Sequence, residues 1–156
     1  MTGKMTDSPQ WTKLTPSPPV TATDIRRWAI ATYWPERPPA LYVDEEYAAT
    51  TRWAGIIAPR DFNPFAWLLT TPPAPDGAAR SDFPRHPHVM NGGQADRYGA
   101  PIRPGDVIST RSRLAGVRSR VTRLGDTRFV STEEEWVNQG HELVRLRTGT
   151  LLRYAS

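Results

Sequence analysis

The sequence predicts an α+β domain in which an antiparallel sheet wraps around one buried central helix. Three observations carry this prediction. Fourteen of the 16 prolines lie at or before Pro87 and none follows Pro104, so long paired strands belong to the Pro-poor tail. Along 142–154, Val144, Leu146, Thr148, Thr150, Leu152 and Tyr154 alternate with Leu143, Arg145 and Arg147, which predicts one dry face and one wet face. The run FNPFAWLL (62–69) is apolar almost all round, as a helix enclosed by other structure must be.

The elements follow in order. Residues 1–20 are polar and Pro-rich and are expected to form a mostly disordered arm, leaving 21–156 as a single domain. Thr21 and Asp24 form a T-x-x-D start for a first helix, with Ile25, Trp28, Ala29 and Thr32 on one face and Trp34-Pro35 at its end. Asp44 is placed to cap a short helix, DEEYAATT. The central helix is expected over 61–70, with Asp61 as cap and Asn63-Pro64 in its first turn, stopped by Pro72-Pro73. Residues 71–87 read as a long Pro-rich loop. Strands are expected at 88–98, 106–122 (bulged at Gly116), 128–138 and 142–154. Helices first, then a meander covering one apolar helix, is the pattern of a hot-dog fold.

Composition narrows the function. There are no cysteines, which excludes disulfides and thiolate metal sites and fits a cytoplasmic protein. No run of about 18 apolar residues exists, so no membrane span is expected. His86, His88 and His141 are too few and scattered for a metal site. Arg103, Arg111, Arg113, Arg118, Arg120, Arg123 and Arg128 share a stretch with only two acids, Asp106 and Asp126. Such a stripe suits either solvated strand faces or the phosphates of a nucleotide-bearing ligand. Aromatics are not interleaved with it, so a nucleic-acid partner is not expected.

Three segments carry a family resemblance: LYVDEEYAATTRWAGIIAP (41–59), NGGQADRYGAPIRPGD (91–106) and the two-hairpin tail ending LVRLRTGTLLRY. Over 21–154 the chain resembles the MaoC-like dehydratases, hot-dog proteins acting on 2-enoyl and 3-hydroxyacyl thioesters. It is most similar to the branch found as the N-terminal half of double hot-dog dehydratases, or as a separate subunit of heteromeric ones. Catalytic members carry D-x-N-P-(apolar)-H just before the short helix. RDFNPFAW (60–67) imitates that motif about twenty residues too late, with Ala66 where histidine would stand. Aligned on Asp44, the family histidine falls on Tyr42 and the Asn-Pro pair on Pro39-Ala40. The aspartate falls on Arg37, or on Glu36 with a slip of one residue.

The resemblance implies a chemistry and then removes its parts. Tyr42, with a reference pKa of about 10, is a poor base at neutral pH, and Arg37 is none. Glu36 is a carboxylate beside prolines. Pro59 withdraws a backbone N–H where the family builds its oxyanion hole. The resemblance therefore implies a subunit of a heteromeric enoyl-CoA hydratase or 3-hydroxyacyl dehydratase. Such a subunit lacks its own Asp/His pair and shapes the acyl pocket for a catalytic hot-dog partner. An acyl-CoA or acyl carrier protein is the implied ligand, with the coenzyme A thioester as substrate and no cofactor. Asn91, Gly92, Gly93, Gln94 and Arg103 are the candidate coenzyme A contacts, against strand bending for the glycines and a solvated role for Arg103. Trp28, Trp34, Trp53 and Trp67 are either core or pocket lining. A homo- or hetero-oligomer is implied, and in one variant the chain keeps activity through Glu36 and Tyr42. Two alternatives stand beside it: a non-enzymatic acyl-CoA-binding module, or a thioesterase using Asp61 or Glu46.

Overall fold

The computed structural model describes residues 10–70, 72 and 85–155. Its elements are β1 (Thr15–Pro16), α1 (Ala22–Tyr33), α2 (Glu45–Thr50), β2 (His88–Tyr98), β3 (Ser109–Thr122), β4 (Gly125–Val137) and β5 (Leu143–Tyr154). A 3-10 turn at Ala40–Tyr42 leads into α2. The strands form one antiparallel sheet in the order β1-β3-β4-β5-β2.

Local chemistry explains the helix starts. The Thr21 hydroxyl accepts the Asp24 N–H at 3.0 Å while the Asp24 carboxylate accepts the Thr21 N–H at 3.2 Å, a reciprocal capping box. Asp44 accepts the Tyr47 N–H at 3.0 Å and caps α2. Ile25 and Ala29 are the residues α1 buries fully. They join Ile56, Phe62, Ile102, Ile108, Trp136 and Val144 in a core gathered at one end of the sheet. Away from that end Val121 stands exposed near the β3–β4 turn.

Three expectations are corrected. The segment 61–70 lies on the sheet as successive turns rather than as a continuous helix, each bond reaching three residues back: Phe62 N–H to Pro59, Ala66 to Asn63 and Leu68 to Phe65. Pro64 disfavours helical backbone at Asn63. The Asn63 side chain, not Asp61, takes up a free N–H, accepting from Phe65 at 3.0 Å. The apolar character of the run is nonetheless used, because Phe62 is among the most deeply buried side chains.

Second, residues 10–20 of the expected disordered arm are laid on the sheet. β1 pairs with the start of β3, and Ser17 and Val20 are buried. Ser17 exchanges two bonds with Ile108, donating its N–H to the carbonyl at 2.7 Å and accepting the Ile108 N–H on its hydroxyl at 3.1 Å. Residues 1–9 lie outside the described residues, as does nearly all of the loop expected over 71–87.

Third, the faces of β5 are not dry and wet. Arg145 and Arg153 are only 6% and 7% exposed, whereas Leu146 and Leu152 are half-buried. The register shifts between Trp136 and Val137, so both Val144 and Arg145 are buried opposite the end of β4. Sequence alternation alone does not reveal the cross-strand Glu134 that pairs with buried Arg145. The Gly116 bulge falls as expected, with the register shifting between Leu114 and Gly116.

Candidate functional site

Two arginines of the stripe, Arg111 and Arg113, and two of β5, Arg145 and Arg147, meet acids across the sheet. The acids come from β4, where Glu133, Glu134 and Glu135 are consecutive, and one comes from β2. Arg111 Nε donates to Glu135 at 2.6 Å and Arg113 Nε to Glu133 at 2.7 Å, with Trp11 stacked on both guanidinium groups. On the opposite face Arg145 donates to Glu134 at 2.6 Å, and Arg147 grips both oxygens of Asp96 at 2.7 and 2.9 Å. That bidentate bond holds the Asp96 carboxyl below its ordinary value and raises Arg147. Burial, then the neighbouring Arg147 charge, pulls Arg145 down.

Two concavities flank Arg145. The larger, about 820 Å³, lies between the 61–70 turns and the sheet, with Asp61, Asp96 and Glu134 facing Arg145 and Arg147. The smaller, about 160 Å³, is bounded by Trp53, the segment Ile57–Arg60, the connection after β2 and the start of β5. Tyr98, Trp136 and Arg145 are common to both.

The positions aligned with the family's acid/base pair stand apart from both concavities. Glu36 and Arg37 are exposed on the connection after α1. Tyr42 is half-buried against the core, its ring 6.3 Å from that of Tyr33. Burial pushes its hydroxyl above the ordinary value, with Tyr33 and Asp61 acting in the same direction. Neither Glu36 nor Tyr42 lines either concavity. Glu46 is exposed on α2 and Asp61 at the start of the turns.

Nor do the candidate coenzyme A contacts line these concavities. Asn91, Gly92, Gly93 and Gln94 are exposed on β2, the edge strand of the sheet. A Cβ at Gly92 would crowd Leu152 Cδ1 and the Thr150 carbonyl, so a side chain there would require Leu152 to turn away. Gly93 has φ +127 and donates its N–H to the Asn91 side chain at 3.0 Å, at a register shift in β2. Half-buried Arg103 stands before β3, its N–H donating to Asp106 at 2.8 Å. Of the tryptophans, Trp28 meets Phe62 edge-on at 5.6 Å, Trp53 walls the smaller cavity, and Trp34 and Trp67 are exposed. The site residues missed by sequence reasoning are Arg145, Trp136 and Tyr98, because their closeness depends on strand register. His86 is buried and lies 3.2 Å from Asp126, and His88 stacks on Tyr154.

The family model for the FAS1-like, dehydratase domain region matches residues 12–147. The chain belongs to this MaoC-like hot-dog family. No curated protein matches the family member significantly. Among solved structures it is similar to a chain of the ChsH1-ChsH2 complex from Mycobacterium tuberculosis, with a TM-score of 0.74 and 20% identity over 92% of this chain and 88% of that one. A MaoC-like dehydratase from Rhodospirillum rubrum aligns with a TM-score of 0.63 and 21% identity, covering 92% of each chain. A chain of the HadBC (3R-hydroxyacyl-ACP dehydratase) complex from Mycobacterium tuberculosis aligns with a TM-score of 0.56 and 20% identity over 94% and 98%. At these identities the likenesses show the hot-dog fold. Among the described residues, no helix of this MaoC-like chain is long and apolar enough to cross a membrane.

Proposed function

We propose that this hot-dog chain is the non-catalytic subunit of a heteromeric enoyl thioester hydratase or 3-hydroxyacyl thioester dehydratase. It shapes the acyl pocket while a second hot-dog chain supplies the Asp/His pair. The supporting observation is the pairing of Tyr42 and Arg37 with the family's proton-transfer positions, the first half-buried against the core and the second exposed. A hydratase needs a base for water and an acid for the α-carbon, and a tyrosine whose hydroxyl is held protonated by burial serves poorly as the base. Pro59, buried where the family polarises the thioester, lacks the N–H that an oxyanion would need. Two of the structural neighbours are themselves chains of two-component complexes, which agrees with this reading.

The substrate class on this reading is an acyl-CoA or acyl carrier protein thioester. The test is loss of enoyl absorbance with a short and a long trans-2-enoyl-CoA, using this chain alone and then with a co-expressed hot-dog partner carrying D-x-N-P-x-H. No turnover alone and turnover with the partner supports the reading. Turnover by this chain alone, abolished by Glu36→Gln or Tyr42→Phe, overturns it.

A further inference from the structure

The smaller cavity differs from the larger one in its charge balance. In the larger, acids face both arginines. In the smaller, Arg60 and Arg145 contribute to the lining and, among the described residues, no Asp or Glu does. Arg145 is 6% exposed, and its one described carboxylate bond runs from Nη2 to Glu134, outside this cavity. Among the described residues no acceptor reaches Arg145 Nε or Trp136 Nε1, both of them buried. The Arg145 charge is shared with Glu134 and its guanidinium lies 3.4 Å from the Trp136 ring centroid, but a buried donor without an acceptor is costly and an anionic oxygen relieves it. Arg60 is exposed, with its guanidinium 5.3 Å from the Tyr98 ring.

The rest of the lining is apolar, with Ile57, Pro59, Pro101, Ile102 and Val144 among it, and Trp53 adds an aromatic wall. At about 160 Å³ the space suits one six-membered ring, since a cavity of roughly 150 Å³ accepts benzene. A phosphate would leave that apolar wall uncovered. A carboxylate on a compact hydrocarbon body satisfies both parts.

We propose that the cavity between Trp53, the Ile57–Arg60 segment and Arg145 binds a small monocarboxylate with a compact apolar body, its carboxylate held by Arg60 and Arg145. The cavity includes Pro59, where the dehydratase reading places the thioester, but binding is read separately from turnover. The probe is cyclohexanecarboxylate, titrated into the full chain and followed by tryptophan fluorescence, because Trp53 and Trp136 line the space. A saturable change is expected. Arg60→Ala weakens it about tenfold, the effect of losing one charge-assisted hydrogen bond. Ala100→Leu, which fills the cavity and keeps both arginines, abolishes it. Cyclohexanecarboxamide gives no saturable change over the same range. The proposal is overturned by no saturation with the carboxylate, by equal response to the amide, or by unchanged affinity in Arg60→Ala or Ala100→Leu with the wild-type melting temperature retained.

Discussion

At the scale of single residues, Gly92 is the sharpest case. A methyl group there would crowd Leu152 Cδ1 and the Thr150 carbonyl, so β2 would have to leave β5 or Leu152 would have to turn away. Gly92→Ala is expected to destabilise by about 1–3 kcal/mol, read as a lowered urea midpoint. Asp96 carries a pH dependence whose sign follows from its bond to Arg147. Its carboxyl is held below the ordinary value, so the stability it contributes is present above the unfolded pKa of about 3.9 and is lost as pH falls through the folded value. Wild type should therefore lose melting temperature more steeply below about pH 4 than Asp96→Asn, and parallel curves would remove Asp96 from the account.

At the scale of elements, β1 does more than its two residues suggest. The Ser17 hydroxyl accepts the buried Ile108 N–H, and the Thr12 N–H donates to the Ser112 carbonyl at 2.8 Å, which seals the first part of the β3 edge. Ser17→Ala leaves the Ile108 donor unsatisfied and should cost about 1–3 kcal/mol in chemical denaturation. Thr21→Ala removes half of the capping box and should cost about 1 kcal/mol, appearing as loss of helical signal before the main transition. The 61–70 segment teaches a different lesson. Its hydrophobicity marked buried Phe62 and Pro64, but Ala66, Trp67 and Leu69 are exposed, because Pro64 and the Asn63 side chain divert the backbone into turns.

At the scale of the whole molecule, one edge of the sheet is covered over its first part by residues 12–17 and the other is β2. This strand is exposed along nearly all of its length, with Val89, Met90 and Tyr98 among its exposed apolar residues. On the proposed reading this edge takes up a second hot-dog chain. Met90→Glu should then weaken assembly with the co-expressed partner, seen as a shift to lower mass in size-exclusion light scattering, while the circular dichroism of the isolated chain stays unchanged. Retained assembly would place the interface elsewhere on the sheet.

Much of the architecture was legible in the sequence because it depends on neighbours in the chain. The capping box at Thr21 and Asp24, the Asp44 cap, the bounds of β2 and the bulge at Gly116 are all local chemistry, and each stands where the sequence placed it. What only the tertiary structure decided is which charges meet. Glu133, Glu134, Glu135 and Asp96 are 20, 11, 24 and 51 residues from the arginines they hold. Their register pairs Arg111, Arg113, Arg145 and Arg147 with acids, and buries Arg145 where alternation promised solvent. Cross-strand register arises from the packing of the entire sheet, so no short window of sequence contains it.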